Sequence, residues 1–581
     1  MRLGTPGFSP VTNDHRFRDN LSTMLHLTSP VSTSSSQTIR PFAAASLYGI
    51  AQRGRHLLAI DARTGYLFEI DPIDGSMRVL NTHNATDFLD TTGIAIAGNT
   101  LWFTQHESVC FCSLEGDLKP QLFTTLPYAA DGITVWETAI YVSCNGTDSI
   151  HVFSSNTRKE ITRLLAPGIG REHLTIRGEE LWVSDRTEQT VFCLDRATGE
   201  IDFSVLTPFP CPTGLAFFTD PNTGREQLYV AYTFEEPFIR DNPNATPNHE
   251  IQYRDAAFIH PLYVCYEPER RYTRSNGFLV EMSYVEEIAP LDAIDLTDLE
   301  WRIALPAETH RQKLHSVEPI GIPFAEEIID GQRVAVFNIE RLTTNDRFVF
   351  GWKALLEVWS IKYQFEPRDG DRVPELDPEL RNRYTLDDDE LAMDTDIIRR
   401  AAVDAPGDET NLLRRMYNIR NFVYDKLAYG IKPQIDPPDV VIRRGVASCG
   451  EYLGLLLAIA RLNGIASRTV GRYKCPQQPH ARNVPLEPDF NHVWMEFYLP
   501  GWGWLPMESN PDDINEGGPY PTRFFMGLAW YHAEMAKGIP FETICSRGER
   551  LTKEVVAIGE LAINHVRFVV LDELIPNPEP K

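Results

Sequence analysis

The stretch Gly445-Val446-Ala447-Ser448-Cys449-Gly450-Glu451-Tyr452 leads into an apolar run. It is followed by Gly464-Ile465-Ala466-Ser467-Arg468, by Asn491-His492-Val493-Trp494-Met495-Glu496, and by Gly503-Trp504-Leu505-Pro506-Met507-Glu508. Leu453, Leu456, Leu457 and Ala460 recur at the spacing of a core-facing helix. Cys449 then falls at the first turn, where unpaired backbone N–H groups and the positive end of the helix dipole favour a thiolate. Alternation after His492 predicts a strand with His492, Trp494 and Glu496 on one face and Val493, Met495 and Phe497 on the other. Glu508 follows the next strand, where a carboxylate can accept from a histidine ring and fix its tautomer. Asp512 and Asp513 lie close enough in sequence to be alternatives for that third position. A buried cysteine alone is more often a small hydrophobe than a nucleophile. The three groups together, each in its own motif, favour a Cys449–His492–Glu508 triad.

Over about residues 380–535 these motifs resemble the transglutaminase-like core of the papain-type cysteine superfamily. That resemblance assigns the nucleophile to Cys449, the general base to His492 and a structural role to Arg468. Trp494 and Glu496 match the positions that flank the histidine, and Tyr452, Trp494 and Arg468 are expected to line the substrate cleft. The departure is Glu508, where the family places aspartate. The implied chemistry is acyl transfer from protein or peptide amides through a thioester, with hydrolysis by a peptidase or amidase marginally favoured over transfer to an amine. No cofactor is expected. Two rivals are a non-catalytic scaffold for protein partners, and a metal site built from Cys449, Cys475, His480 and His492.

At 581 residues the chain needs several cores. Units beginning Gly49-Ile50-Ala51, Gly93-Ile94-Ala95, Gly132-Ile133-Thr134, His173-Leu174-Thr175 and Gly214-Leu215-Ala216 recur with a period of about 40 residues. Each holds short strands and Asp/Gly turns, which predicts an all-β propeller over 41–295 and resembles blades of the NHL or YVTN kind. Leu262-Tyr263-Val264 is a candidate start for a sixth unit, after a polar insertion at about 235–255. No acidic or histidine ligand recurs at one blade position, so the expected role is a platform for a protein partner. Residues 296–367 predict a small β-sandwich, and 368–570 an α+β transglutaminase-like catalytic domain. Within it, Leu412, Met416, Ile419, Val423 and Leu427 predict a core helix. His532, in an aromatic-rich stretch, is read as structural. The multidomain plan is completed by disordered tails at 1–40 and 571–581.

The net charge of −26 argues against nucleic acid or an anionic membrane as partner. Nine cysteines show no disulfide or zinc spacing, which reads as reduced thiols. No apolar run reaches transmembrane length. A cytoplasmic protein is expected.

Overall fold

Asp-to-Gly turns shape the N-terminal half. Asp61 accepts from the N–H groups of Arg63 and Thr64 at 3.0 and 2.9 Å, and Gly65 closes the turn at φ +70°. Asp195 does the same for Ala197 and Thr198 before Gly199 at φ +77°. Such carboxylate-capped turns reverse the chain every few residues and drive antiparallel pairing. The computed structural model describes residues 38–577 except 242–248, 389, 432–434, 479–480, 511–518 and 553–556. Nearly all of the expected N-terminal tail, and the last residues of the C-terminal one, lie outside the described residues. Ile39 is described and bridges Ile259 in both directions.

Four sheets of four sequential strands span Leu47–Val79, Thr91–Thr125, Ile133–Leu165 and Glu172–Leu206. A fifth holds Pro212–Thr219, Glu226–Asp241 and His249–Leu262. The opening strands of the five lie side by side. A Cβ on Gly93 would stand 2.7 Å from the Asp131 carbonyl oxygen, and one on Gly132 2.5 Å from that of Glu172. A Cβ on Gly214 would come within 3.0 Å of Gly49 Cα, so the fifth unit returns to the first. Hydroxyls stitch neighbours together. Thr104 donates to Asp131 O and Ser143 to Glu172 O, each at 2.8 Å, and Thr233 donates to Leu47 O at 3.1 Å. The candidate sixth unit does not form: Leu262 ends the fifth sheet, and Val264–Glu267 pairs with a different strand, Tyr272–Ile288.

That long strand sits in a seven-stranded sheet, between Val349–Tyr363 and Ala562–Leu574. A five-stranded sheet centred on Asp295–Ala304 shares its core, with Trp301, Phe337, Phe350, Trp352 and Met282 all buried. This β-layer therefore draws on chain from both sides of 296–367. It includes Glu542–Ser546 and Ala562–Leu574 from the far end. The strand through Leu574 also occupies the start of the expected tail at 571. Alternation reveals a strand but not its distant partner, so the local pattern places these strands in the wrong neighbourhood.

The remaining unit packs helices on a four-stranded sheet ordered Gly503–Met507, His492–Leu499, Ser467–Lys474, His532–Met535. The expected core helix is Leu412–Lys426, capped by the Asn411 side chain accepting from Arg414 N at 2.9 Å. It buries Met416, Ile419 and Val423 against Leu456 and Ile459 of the helix Cys449–Leu462, and Met495 and Phe497 of the sheet complete that core.

Candidate active site

Cys449 is the first residue of the helix Cys449–Leu462. Ser448 caps it, and the Glu451 carboxylate reaches back to accept from Ser448 N at 2.8 Å. Arg444 donates to Glu451 at 2.7 Å, so the turn carrying the thiol is held by a partly buried ion pair. His492 opens the strand beside this helix, cross-strand from Arg472, and is 3% exposed. Its Nε2 lies 2.7 Å from Glu508 Oε1. Burial pushes the Cys449 thiol pKa up, but the His492 ring and the Val493 backbone pull it down by more, and the net shift is downward. For His492 burial works against the imidazolium, yet the Glu508 carboxylate raises its pKa overall. Glu508, itself buried, is held well below the usual carboxylate range by His492 and Lys474. The two shifts run in opposite directions, down for the sulfur and up for the imidazole.

Glu508 has partners that the sequence motifs did not indicate. Its Oε2 is 3.2 Å from His532 Nε2 and 2.8 Å from Lys474 Nζ, while Ser509 N donates to Oε1 at 2.9 Å. Its own N–H donates to Phe524 O at 3.1 Å. Lys474 and His532 face each other across adjacent strands. Only that pairing register brings them together, so no local spacing signals it. Burial, with the Lys474 charge adding, pushes His532 down to about 3, so its ring is neutral.

The expected cleft residues divide. Tyr452 is fully buried and its hydroxyl donates to the Leu427 carbonyl, so it belongs to the helical core. Trp494 is also fully buried, stacked beside His492 and edge-on to His532. Neither offers surface to a substrate, in contrast to the cleft position expected of them. Arg468 lines a pocket of about 800 Å3 with Tyr363, Trp502 and Trp504, and Cys449, His492 and Glu508 are not among the residues lining it. There it pairs with Glu496 at 2.7 Å and stacks 4.0 Å over the Trp504 ring. A chain of buried ion pairs continues from Glu496 through Lys537 and Glu534 to Arg311. His480, Asp512 and Asp513 lie outside the described residues. Among the described residues no group of three metal-ligating side chains is placed to hold a metal.

Residues 399–509 match the model of the transglutaminase-like superfamily, and the chain carries a domain of this kind. A protein-glutamine gamma-glutamyltransferase from Pseudomonas aeruginosa is 29% identical over 110 residues, which is 17% of this chain and 16% of that relative. The matched stretch thus spans about a sixth of the relative's length. A solved candidate cysteine protease from Cytophaga hutchinsonii is 15% identical, covering 53% of this chain and 95% of its own, with a TM-score of 0.36. A glutaminyl cyclase structure from Myxococcus xanthus is 13% identical, covering 40% of this chain and 97% of its own, with a TM-score of 0.26. No helix among the described residues is long and apolar enough to cross a membrane.

Proposed function

We propose that the chain catalyses cysteine-dependent acyl transfer from carboxamides of proteins or peptides, with Cys449 as nucleophile, His492 as general base and acid, and Glu508 orienting His492. The observation that carries this is the buried 2.7 Å contact between His492 Nε2 and Glu508, which leaves the other ring nitrogen for the thiol. The Cys449 sulfur attacks the carbonyl carbon and forms a C–S bond. His492 gives its proton to the departing nitrogen as the C–N bond breaks. Water or an amine then attacks the thioester, its proton passes to His492, and the C–S bond breaks. The backbone N–H of Cys449, at the start of its helix, is the proposed oxyanion donor. Hydrolysis is the marginally favoured outcome.

The N-terminal repeats are proposed to be a five-bladed propeller that serves as a protein-binding platform. Support comes from the side-by-side opening strands at Gly49, Gly93, Gly132, His173 and Gly214.

The test is incubation with a glutamine-containing protein, with and without a fluorescent amine. Amine incorporation identifies a transferase, and ammonia release or chain cleavage without incorporation a hydrolase. Either must vanish in Cys449→Ala. No turnover in any arm would leave the scaffold reading in its place.

A further inference from the structure

The carboxylate of Glu508 is bound at both oxygens. Oε1 takes His492 and the Ser509 N–H; Oε2 takes His532 at 3.2 Å and Lys474 at 2.8 Å. A glutamate has one more rotatable bond than an aspartate, so a single hydrogen bond leaves it free to swing. A second anchor on the far oxygen removes that freedom. We propose that Lys474 and His532 are positioning residues for this triad: together they clamp Glu508, and the Lys474 charge limits how strongly Glu508 holds His492 as the imidazolium. The proposal rests on the triad reading above.

The two partners act in opposite senses. Neutral His532 donates to Glu508 in the tautomer protonated at Nε2; Nδ1, 3.2 Å from the Ala529 carbonyl, then has no proton to give it. His532 holds the carboxylate without spending its charge. Lys474 is a cation on the same oxygen. It competes with His492 for the negative charge, and its field opposes protonation of His492. An imidazole that must return its proton to a departing nitrogen benefits from such moderation, because a ring made too basic keeps the proton. The charged and titratable groups facing this cluster are Cys449 from the helix, His492, Lys474 and His532 from the three strands, and Arg311, which donates to His532 O at 2.8 Å and is neutralised by Glu534 at 2.9 Å.

The test needs no substrate. Iodoacetamide alkylation of the full-length protein is followed against pH by mass spectrometry of the Cys449 peptide. Wild type should alkylate with a thiolate limb below that of an ordinary thiol. In Lys474→Met the pKa of the His492 ring, followed by NMR of the labelled imidazole, should rise, since Glu508 then serves His492 alone. Lys474→Arg should return it to the wild-type value. In His532→Leu the alkylation limb should move up, because the carboxylate is released; His532→Gln, which keeps an N–H donor, should restore it. Should Lys474→Met fail to fold, Lys474→Gln carries the same expectation. A His492 pKa that stays put or falls in Lys474→Met or Lys474→Gln, or an alkylation limb that stays put in His532→Leu, overturns the clamp. If wild-type Cys449 titrates as an ordinary free thiol, the triad itself is wrong and the clamp falls with it.

Discussion

Chemistry at the candidate site depends on a sulfur with a depressed pKa beside an imidazole with a raised one. Replacing His492 by Ala should therefore move the Cys449 alkylation limb up, because the His492 contributions that outweigh burial are lost. The same mass-spectrometric titration reads this out. Glu508→Gln keeps the shape but loses the charge that favours the imidazolium, and turnover should fall by roughly 10²–10⁴-fold in the amine-incorporation or ammonia assay. If Glu508→Gln turns over like wild type, the third member of the triad is wrongly assigned.

Between elements, the segment carrying Thr522 and Trp530 ties the first half of the chain to the site. The Glu188 carboxylate accepts from Thr522 N at 2.7 Å, and Trp530 Nε1 donates to Pro208 O at 2.8 Å. The same segment supplies Phe524 O to the Glu508 N–H. The buried ammonium of Lys362, pushed down to about 8, faces Glu188 and donates to three carbonyls of the segment. Glu188→Ala leaves that cation with no carboxylate, and should cost about 2–4 kcal/mol in urea unfolding while lowering turnover. Close strand contact gives another expectation. Gly132→Ala would set a Cβ 2.6 Å from His173 Cα, and the backbone shift needed should cost about 1–3 kcal/mol.

Across the molecule, buried carboxyls set the pH response. Burial raises Glu172 to about 8 and Asp131 to about 6. A folded chain that holds these protons more tightly than the unfolded one is fully stabilised by them below the ordinary carboxyl range. It loses that stability as pH rises through about 6 and then about 8. Glu172→Gln should match wild type near pH 5 and exceed it at pH 8 by on the order of 2 kcal/mol, measured by urea unfolding at the two values. The long sheet makes its own demand. Truncation before Ala562–Leu574 strips a strand paired along Gly277–Ile288, so the truncated chain should be insoluble on expression.

Local pattern carried much of this in the sequence. The helix behind Cys449, the strand at His492, the glycine-marked repeats and the Asp/Gly turns all follow from spacing, because each is stabilised within a few residues of itself. The order of thiol, imidazole and carboxylate along the chain was legible for the same reason. Tertiary structure alone decided what those groups meet. Lys474 and His532 reach Glu508 through a strand register, Glu188 holds Thr522 from far along the chain, and Ala562–Leu574 completes a sheet begun at Tyr272. It also turned Tyr452 and Trp494 inward, away from the cleft expected of them. Pairings of this kind are set by the burial and hydrogen-bond satisfaction of distant segments, and no short-range periodicity records them.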